Sequence, residues 1–254
     1  MKTKLPGALL STLLFYSQIP ALALDQEDPC VLPPYLLATN TDLPLVSEAV
    51  VTDQPVHVLL VGSSSMSGVA TSSPARSLPE QFAQALKKRM PAIKLRISTI
   101  TSRGQTLAQS VARIQHQIDS LQPTLVVWQI GLNDVAGRMP AFRFNALLEE
   151  GIAAVQGTGS ADLILMDIPY YREAGLLMQA SEYRKLIAFR ADYEHIPMMP
   201  VYRVMQYWDD RQTFKPSGKT PRPQARQIHL ADQIHQCLGT ALAAQVIRGI
   251  KPPQ

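Results

Sequence analysis

The sequence predicts an α/β protein: a three-layer α/β/α sandwich around a flavodoxin-like, doubly wound parallel sheet. Short apolar runs along the 254 residues have the length and composition of buried strands. The segments between these runs carry apolar residues at helical spacing, and the two kinds of segment alternate along the chain. Strands that alternate with helices form a parallel sheet covered by helices on both faces, which is the basis of this prediction.

Five strands are predicted from the apolar runs. The first covers residues 56–61 and ends at Gly62, which predicts a turn directly after it. The other four cover residues 93–100, 124–130, 162–168 and, as a short strand, 196–201.

Five helices are predicted from apolar residues that recur every three or four positions. In residues 78–90 the apolar positions are Leu78, Phe82, Ala85, Leu86 and Met90. The other four helices cover residues 106–121, 144–155, 183–193 and 231–247. Residues 209–227, rich in proline, lysine and arginine, are predicted as one long loop, and loops of this length are usually lids, binding loops or disordered segments.

The first residues have the pattern of a secretory signal peptide. Lys2 and Lys4 precede an apolar stretch over residues 5–20, and Ala21-Leu22-Ala23 has the small-x-small pattern of a cleavage site. A membrane anchor is the alternative, but the stretch is interrupted by prolines and is shorter than the ~20 apolar residues of a spanning helix. We therefore expect residues 1–23 to be removed from a periplasmic or secreted protein that keeps no stable membrane anchor.

The remaining chain is predicted to have an N-terminal extension over residues 24–54 and one domain over residues 55–250. Its two cysteines are Cys30 and Cys237. An oxidising compartment would let them pair, so we expect a disulfide between them. Two buried free thiols are the alternative.

The charge of the chain does not indicate a nucleic-acid partner. Removing Lys2 and Lys4 with the leader brings the 24 basic residues close to the 20 acidic ones. Basic residues do gather in and beside the predicted long loop: Arg211, Lys215, Lys219, Arg222 and Arg226. They would attract an anionic or polyhydroxylated substrate if the loop borders the site, and a solvated flexible loop is the alternative.

Three small or polar residues follow three consecutive predicted strands. Ser64 comes after the first strand, Gly104 after the second and Asn133 after the third. Because ligands bind at the carboxyl ends of the strands in doubly wound sheets, we expect these residues to share one edge. His229 is expected in the loop that enters the last helix.

The motifs around these residues resemble the SGNH, or GDSL-like, hydrolase superfamily over about residues 56–238. Gly62-Ser63-Ser64 stands where that family has Gly-Asp-Ser, so Ser63 departs from the commoner residue. The strongest match is Gly131-Leu132-Asn133-Asp134, which is similar to the family's Gly-x-Asn-Asp block. Ile228-His229-Leu230 is similar to the last block, and Gly104 to the second.

The resemblance implies a serine hydrolase, and the chemistry of the residues fits that activity. Ser64 would attack an ester carbonyl while His229 takes its proton. The backbone N–H groups of Ser64 and Gly104 and the amide of Asn133 would form the oxyanion hole. Ser63 or Ser65 could replace Ser64 as nucleophile, and a serine triplet after a strand can also be only a helix cap.

One member of the family pattern is missing from this sequence. Arg226 stands three residues before His229, where the family has Asp, and arginine cannot accept the imidazole N–H. Three alternatives follow. A Ser-His dyad suffices; Asp209, Asp210 or Asp232 substitutes for the acid; or the site binds acyl groups with little turnover.

No cofactor or metal is predicted. His229 and His235 are six residues apart, which does not align them on one helix face, and no Cys or Glu accompanies them as a ligand.

The function that these patterns predict is an exported serine esterase or deacylase acting on small acyl esters, by hydrolysis or transfer. A cell-envelope polysaccharide, such as cellulose or another exopolysaccharide, is the expected substrate. Five aromatic residues near strand ends could stack on sugars or be core: Tyr170, Tyr171, Tyr202, Tyr207 and Trp208. The alternative function is a catalytically weak or inactive accessory protein that binds acyl groups or glycans.

Overall fold

The computed structural model describes residues 28–37, 42–64, 66–69, 71–170, 174–214 and 223–251. For residues 174–179 and 223–230 it describes the backbone alone. The predicted leader, residues 1–23, lies outside the described residues. No helix in the described ranges is both long enough and apolar enough to cross a membrane.

The centre of the molecule is a five-stranded sheet whose described strand pairs are all parallel. The strands are β1 (Val56–Gly62), β2 (Leu95–Thr101), β3 (Leu125–Gln129), β4 (Asp162–Met166) and β5 (Met198–Met199). Their order is β2-β1-β3-β4-β5, the order of flavodoxin-like sheets. In the register, Val58 of β1 lies between Ile97 of β2 and Leu125 of β3.

Helices connect the strands and cover both faces of the sheet. They are α1 (Pro34–Leu37), α2 (Pro44–Val51), α3 (Leu78–Arg89), α4 (Leu107–Leu121), α5 (Leu132–Ala136), α6 (Ala141–Gln156), α7 (Ala174–Tyr193), α8 (Val201–Asp210) and α9 (Pro223–Gly249), with a 3₁₀ turn at Pro74–Arg76. The helices predicted at 78–90, 106–121, 144–155 and 183–193 are present as α3, α4, α6 and α7.

The two faces of the sheet bury separate cores. Along β1, Val58 and Leu60 pack into a core shared with α2, α3, α8 and α9. Leu59 and Val61 pack into a core shared with α4, α6 and α7. The alternation follows from the two-residue period of a strand, and it confirms the predicted three-layer α/β/α architecture.

The N-terminal segment is part of the first core. Leu43 and Val46, in or next to α2, are fully buried in it. The carboxylate of Asp162, the first residue of β4, accepts the backbone N–H of Val46 at 2.9 Å and so attaches α2 to the sheet. Cys30 and Cys237 form the expected disulfide, with their Cα atoms 4.5 Å apart.

The structure corrects the prediction near the end of the chain. The predicted loop over residues 209–227 is wrong at both ends, because Asp209 and Asp210 belong to α8 and α9 begins at Pro223. Proline is favourable in the first turn of a helix, and glutamine, alanine and arginine, which follow it, are good helix formers. His229 therefore lies within α9 and not in the loop before it.

Candidate active site

The candidate site lies at the carboxyl ends of β1 and β3, which are neighbours in the sheet. The connections from these two strands leave toward opposite faces, so their ends form the topological switch point where doubly wound sheets bind ligands. Ser63 and Ser64 follow β1, and Gly131 to Asn133 follow β3.

The turn after β1 fixes the serines. A Cβ at Gly62 would lie 2.6 Å from Cγ of Met66, so any larger residue there would force the Met66 side chain to move. Ser63 is buried, and its carbonyl accepts the N–H of Met66 and of Ser67 at 3.1 and 3.2 Å. Ser64 is half-buried, and its carbonyl accepts the Ser67 hydroxyl at 3.0 Å. Ser65, the other candidate nucleophile, lies outside the described residues.

The loop after β2 contains Gly104 in a left-handed conformation with φ of 72°. The residue is exposed, and a Cβ built on it would have nothing within 4 Å. The backbone conformation, and not the space around it, is therefore what favours glycine here.

The loop after β3 positions Asn133. Gly131 has φ of 102°, and a Cβ there would lie 2.8 Å from Cγ1 of Ile168. Both the backbone conformation and the lack of space therefore favour glycine at this position. The Nδ2 group of Asn133 donates a hydrogen bond to the carbonyl of Gln105 at 2.8 Å. An amide has two N–H groups, so this bond orients the side chain while using one of them.

Asp134 joins the same two loops by a second route. Its buried carboxylate accepts the N–H of Leu107, the first residue of α4, at 3.0 and 3.1 Å. Burial raises the pKa of Asp134, and the bond from Leu107 acts in the opposite direction. The carboxylate caps α4 from outside the helix and so holds the Asn133 loop against the Gly104 loop.

Gln105 supports this arrangement, and no sequence motif points to it. Its side chain is buried, and Oε1 accepts hydrogen bonds from Nη1 of Arg113 at 2.9 Å and from the hydroxyl of Ser102 at 3.2 Å. Glutamine is mostly exposed in proteins, so the sequence alone does not indicate that Gln105 is buried and supports the site.

A small polar cavity shows which of these residues come together. Its lining includes Ser63, Gln105, Asn133 and Pro169, and its volume of about 10 Å³ has room for about one water molecule. Ser63 and Asn133 therefore share one cavity. Ser64 and Gly104, which are not among its lining, are the chain neighbours of Ser63 and Gln105.

The helix that carries His229 reaches this region through Asp232. Oδ1 of Asp232 accepts the N–H of Ser72 at 2.9 Å, and Oδ2 accepts the Ser72 hydroxyl at 2.5 Å. Ser72 belongs to the segment that follows Ser64, so this contact holds α9 against the loop after β1. The side chain of His229 lies outside the described residues, as does that of Arg226.

The three candidate acids have different surroundings. Asp209 is half-buried and Asp210 is exposed at the end of α8. Asp232 shares α9 with His229, and both of its carboxylate oxygens accept hydrogen bonds from Ser72.

The family of the chain follows from its sequence taken as a whole. The profile of the non-GDSL lipase-like family matches residues 29–252. The chain belongs to this family. The match confirms the resemblance to GDSL-like hydrolases and places the chain among lipase-like and esterase-like proteins. No curated protein sequence matches the chain.

Solved structures agree with this family assignment at the level of the fold. LAE5, an α/β hydrolase from the metagenome of Lake Arreo in Spain, is 19% identical over 78% of this chain and 97% of its own, with a TM-score of 0.58. A lipase/acylhydrolase from Enterococcus faecalis is 18% identical over 78% of this chain and 99% of its own, with a TM-score of 0.58. A single-residue variant of Axe2, an acetyl xylan esterase from Geobacillus stearothermophilus, is 16% identical over 76% of this chain and 94% of its own, with a TM-score of 0.56.

The aromatic residues of this lipase-like protein divide between core and surface. Tyr202 and Trp208 are 8% and 2% exposed, so they belong to the core. Tyr170 is half-buried next to Pro169 of the cavity, and its ring meets Tyr202 edge-on at 5.2 Å. Tyr171 lies outside the described residues. Tyr207 is half-buried under the guanidinium of Arg211, at 4.7 Å.

The other basic residues of the predicted loop, Lys215, Lys219 and Arg222, lie outside the described residues.

Next to Tyr170, a buried carboxylate anchors the end of β4. Asp167 accepts the N–H of Tyr202 at 2.9 Å and contacts Nε of Arg184 at 3.4 Å. Burial raises the pKa of Asp167 to about 6, against the lowering effects of these two partners.

Within the described ranges, His, Cys, Asp and Glu residues form no group of three or more that could hold a metal ion.

Proposed function

We propose that this chain is a serine esterase or deacylase that acts on small acyl esters, with Ser64 as nucleophile and His229 as general base. The observation that carries the proposal is the hydrogen bond from Asn133 to the Gln105 carbonyl, in the cavity that Ser63 also lines. That bond orients an amide donor at the switch point of the sheet, in a cavity lined by the chain neighbour of Ser64, and an oriented donor near the nucleophile supports acyl transfer.

The proposed reaction has two steps. Ser64 Oγ attacks the ester carbonyl, His229 accepts the serine proton, and the second N–H of Asn133 joins the backbone N–H groups of Ser64 and Gly104 on the oxyanion. The imidazolium then gives its proton to the leaving alcohol. Water, or a second hydroxyl in a transfer reaction, attacks the acyl-enzyme and restores Ser64.

The missing acid sets the expected rate. In the well-known Ser-His-Asp triad, losing the orienting acid lowers kcat about 10⁴-fold without abolishing catalysis. With Arg226 at that position, we infer a dyad in which an element other than the usual Asp holds the histidine, and therefore a slow but genuine enzyme.

For location and substrate, we propose an exported enzyme that removes or transfers acyl groups on a cell-envelope polysaccharide. The leader-like residues 1–23 and the disulfide between Cys30 and Cys237 support export. The half-buried ring of Tyr170 beside the cavity offers an apolar surface to a sugar. The fold likeness to an acetyl xylan esterase is compatible with such a substrate.

Hydrolysis of p-nitrophenyl acetate tests the catalytic part of the proposal. Ser64→Ala and His229→Ala should each lower kcat at least 10³-fold, while Ser120→Ala, an exposed serine at the far end of α4, should match the wild-type protein. Equal rates in all four proteins would refute the proposal. A fluorophosphonate label on Ser63 or Ser65 would assign the nucleophile to that residue instead.

An accessory protein that binds acyl groups or glycans is the second candidate function, and Arg226 in the place of the acid favours it. For such a protein, an acetylated polysaccharide should bind with unchanged affinity to the wild-type protein and to Ser64→Ala, and no acetate should be released. Measured release of acetate that depends on Ser64 would exclude this function.

A further inference from the structure

We propose that Ser72 and Asp232 are a positioning pair that fixes the histidine-bearing turn of α9 against the loop that carries Ser64. This inference rests on the proposed function. It assigns to these two residues the orienting task that the acid of a complete triad performs, without direct contact with the substrate.

The contact between the two residues is suited to positioning. Both carboxylate oxygens of Asp232 are used, one by the backbone N–H and one by the hydroxyl of Ser72, at 2.9 and 2.5 Å. Both bonds lie at the exposed surface, so their effect comes from their paired geometry and not from the strength of either one. Two bonds to one residue restrain the rotation of α9 about its axis as well as its distance from the loop.

On the side of the nucleophile, short hydrogen bonds continue from Ser72 back to Ser64. The hydroxyl of Thr71 donates to the carbonyl of Gly68 at 2.7 Å, and the hydroxyl of Ser67 donates to the carbonyl of Ser64 at 3.0 Å. These bonds, with the backbone between them, link Ser72 to the turn that carries Ser64.

On the side of the base, Asp232 is the anchored residue closest to His229 among the described side chains of α9. The two residues are three positions apart in the helix, so they lie on neighbouring turns of one face. The next anchors follow directly: His235 is buried and hydrogen-bonds with the backbone of Arg76, Cys237 forms the disulfide, and Gly239 packs closely on Phe82. Among these anchors, the contact with Ser72 is the one nearest to His229 and the one that joins α9 to the loop after β1.

Arg226 makes such an anchor necessary. The arginine has no acceptor for the imidazole N–H, so the histidine cannot be oriented from its usual position. A misplacement of about 1 Å in a catalytic group can cost about 10²-fold in rate.

The test compares Ser72→Ala, Asp232→Asn and the double variant, with Asp53→Asn as the matched control. Asp53 also accepts a bond at 2.5 Å, from Lys94, but at the opposite end of the strands. We expect kcat for p-nitrophenyl acetate to fall about 10-fold in Ser72→Ala and about 10- to 100-fold in Asp232→Asn, with KM within twofold. The double variant should be no slower than Asp232→Asn, because both changes break one unit. Asp53→Asn should match the wild-type protein.

Two kinetic outcomes would overturn the proposal. If Asp232→Asn loses activity while Ser72→Ala keeps it, Asp232 acts directly as the substitute acid on His229. If both variants keep the wild-type kcat, the contact has no bearing on catalysis.

Amide hydrogen exchange over residues 223–231 gives a readout that does not require turnover. Exchange should be faster in Ser72→Ala and Asp232→Asn than in the wild-type protein, and unchanged in Asp53→Asn. Faster exchange in a protein without Ser64-dependent hydrolysis would support the positioning pair and refute the esterase. Unchanged exchange in both variants would refute the positioning pair, whatever the rate of hydrolysis.

Discussion

Single residues of the site are held mainly by bonds to backbone groups of other loops. Asn133 donates to the carbonyl of Gln105, and Asp134 accepts from the N–H of Leu107. A side chain bonded to backbone is fixed by the fold itself, because the partner cannot rotate away. The Asn133 amide is therefore oriented before any substrate arrives, which is the condition for oxyanion stabilisation.

Asn133→Ala should lower kcat about 10²- to 10³-fold, because it removes one of the donors proposed for the oxyanion. KM for p-nitrophenyl acetate should change little, since the lost interaction is made in the transition state. Asn145→Ala is the control: Asn145 accepts a bond from Arg190 at 2.9 Å between α6 and α7 and does not line the cavity. A wild-type kcat in Asn133→Ala would remove this residue from the mechanism.

The sequence can indicate site residues that follow strands, and it cannot indicate those that support them. Ser64, Gly104 and Asn133 are predicted to share one edge because parallel strands end on the same side. Ser72 and Asp232 are 160 residues apart, and no local pattern relates them. Gln105 gives no signal for the same reason, since its importance arises from Asn133 and Arg113, which belong to other elements.

At the scale of elements, apolar periodicity predicts the central strands and helices, and proline and tertiary packing decide their ends. The strand predicted at 196–201 is reduced to Met198–Met199, because Pro197 and Pro200 have no N–H for the ladder and α8 begins at Val201. The predicted start of the last helix is too late, since α9 begins at Pro223 and not at Ala231. The first residues of α9 lack an apolar stripe, so the period that identifies the rest of the helix is absent there.

The packing of α9 on α3 depends on one small residue. A Cβ at Gly239 would lie 2.6 Å from the backbone N of Phe82, and a backbone atom cannot move aside as a flexible side chain can. Gly239→Ala should therefore push the helices apart and lower the free energy of unfolding by about 1–3 kcal/mol. Thr240→Ala, on the adjacent residue, should stay within about 0.5 kcal/mol of the wild-type protein in urea denaturation. Equal stability of the two variants would show that α9 does not approach α3 this closely.

At the scale of the whole molecule, a buried hydrogen bond and a disulfide attach the N-terminal segment to the rest of the domain. Asp162 holds α2 through the N–H of Val46, and the disulfide joins Cys30 to α9. Burial raises the pKa of Asp162 to about 6, although its bonds with the α2 backbone lower it. The anchor thus makes the stability of the fold depend on pH.

The sign of that dependence follows from the raised pKa. An unfolded Asp has a pKa of about 3.9, so between about pH 4 and pH 6 the folded state binds the Asp162 proton more tightly than the unfolded state. The stabilisation by protonation is complete below about pH 4 and is lost as the pH rises through about 6. Asp162→Asn cannot titrate. In urea denaturation from pH 4 to pH 7, the wild-type protein should lose stability relative to this variant, and a constant difference would contradict the raised pKa.

The disulfide should be the largest single contribution to the stability of the molecule. Cys30 and Cys237 are 207 residues apart, so the bond closes a loop over nearly the whole domain. On the chain-entropy argument, removing it costs about 5 kcal/mol, mainly because the unfolded chain gains freedom. Since one end of the bond lies in α9, its loss also removes the covalent link between the N-terminal segment and the helix that carries His229, while hydrogen bonds such as that from Leu43 to the Gly249 carbonyl remain. The double variant Cys30→Ser/Cys237→Ser should therefore unfold at lower urea concentration than the oxidised wild-type protein. Reductant should bring the wild-type protein to the same midpoint and leave the double variant unchanged. A reductant-insensitive wild-type midpoint, with two thiols open to alkylation in the native protein, would show that the cysteines are not paired.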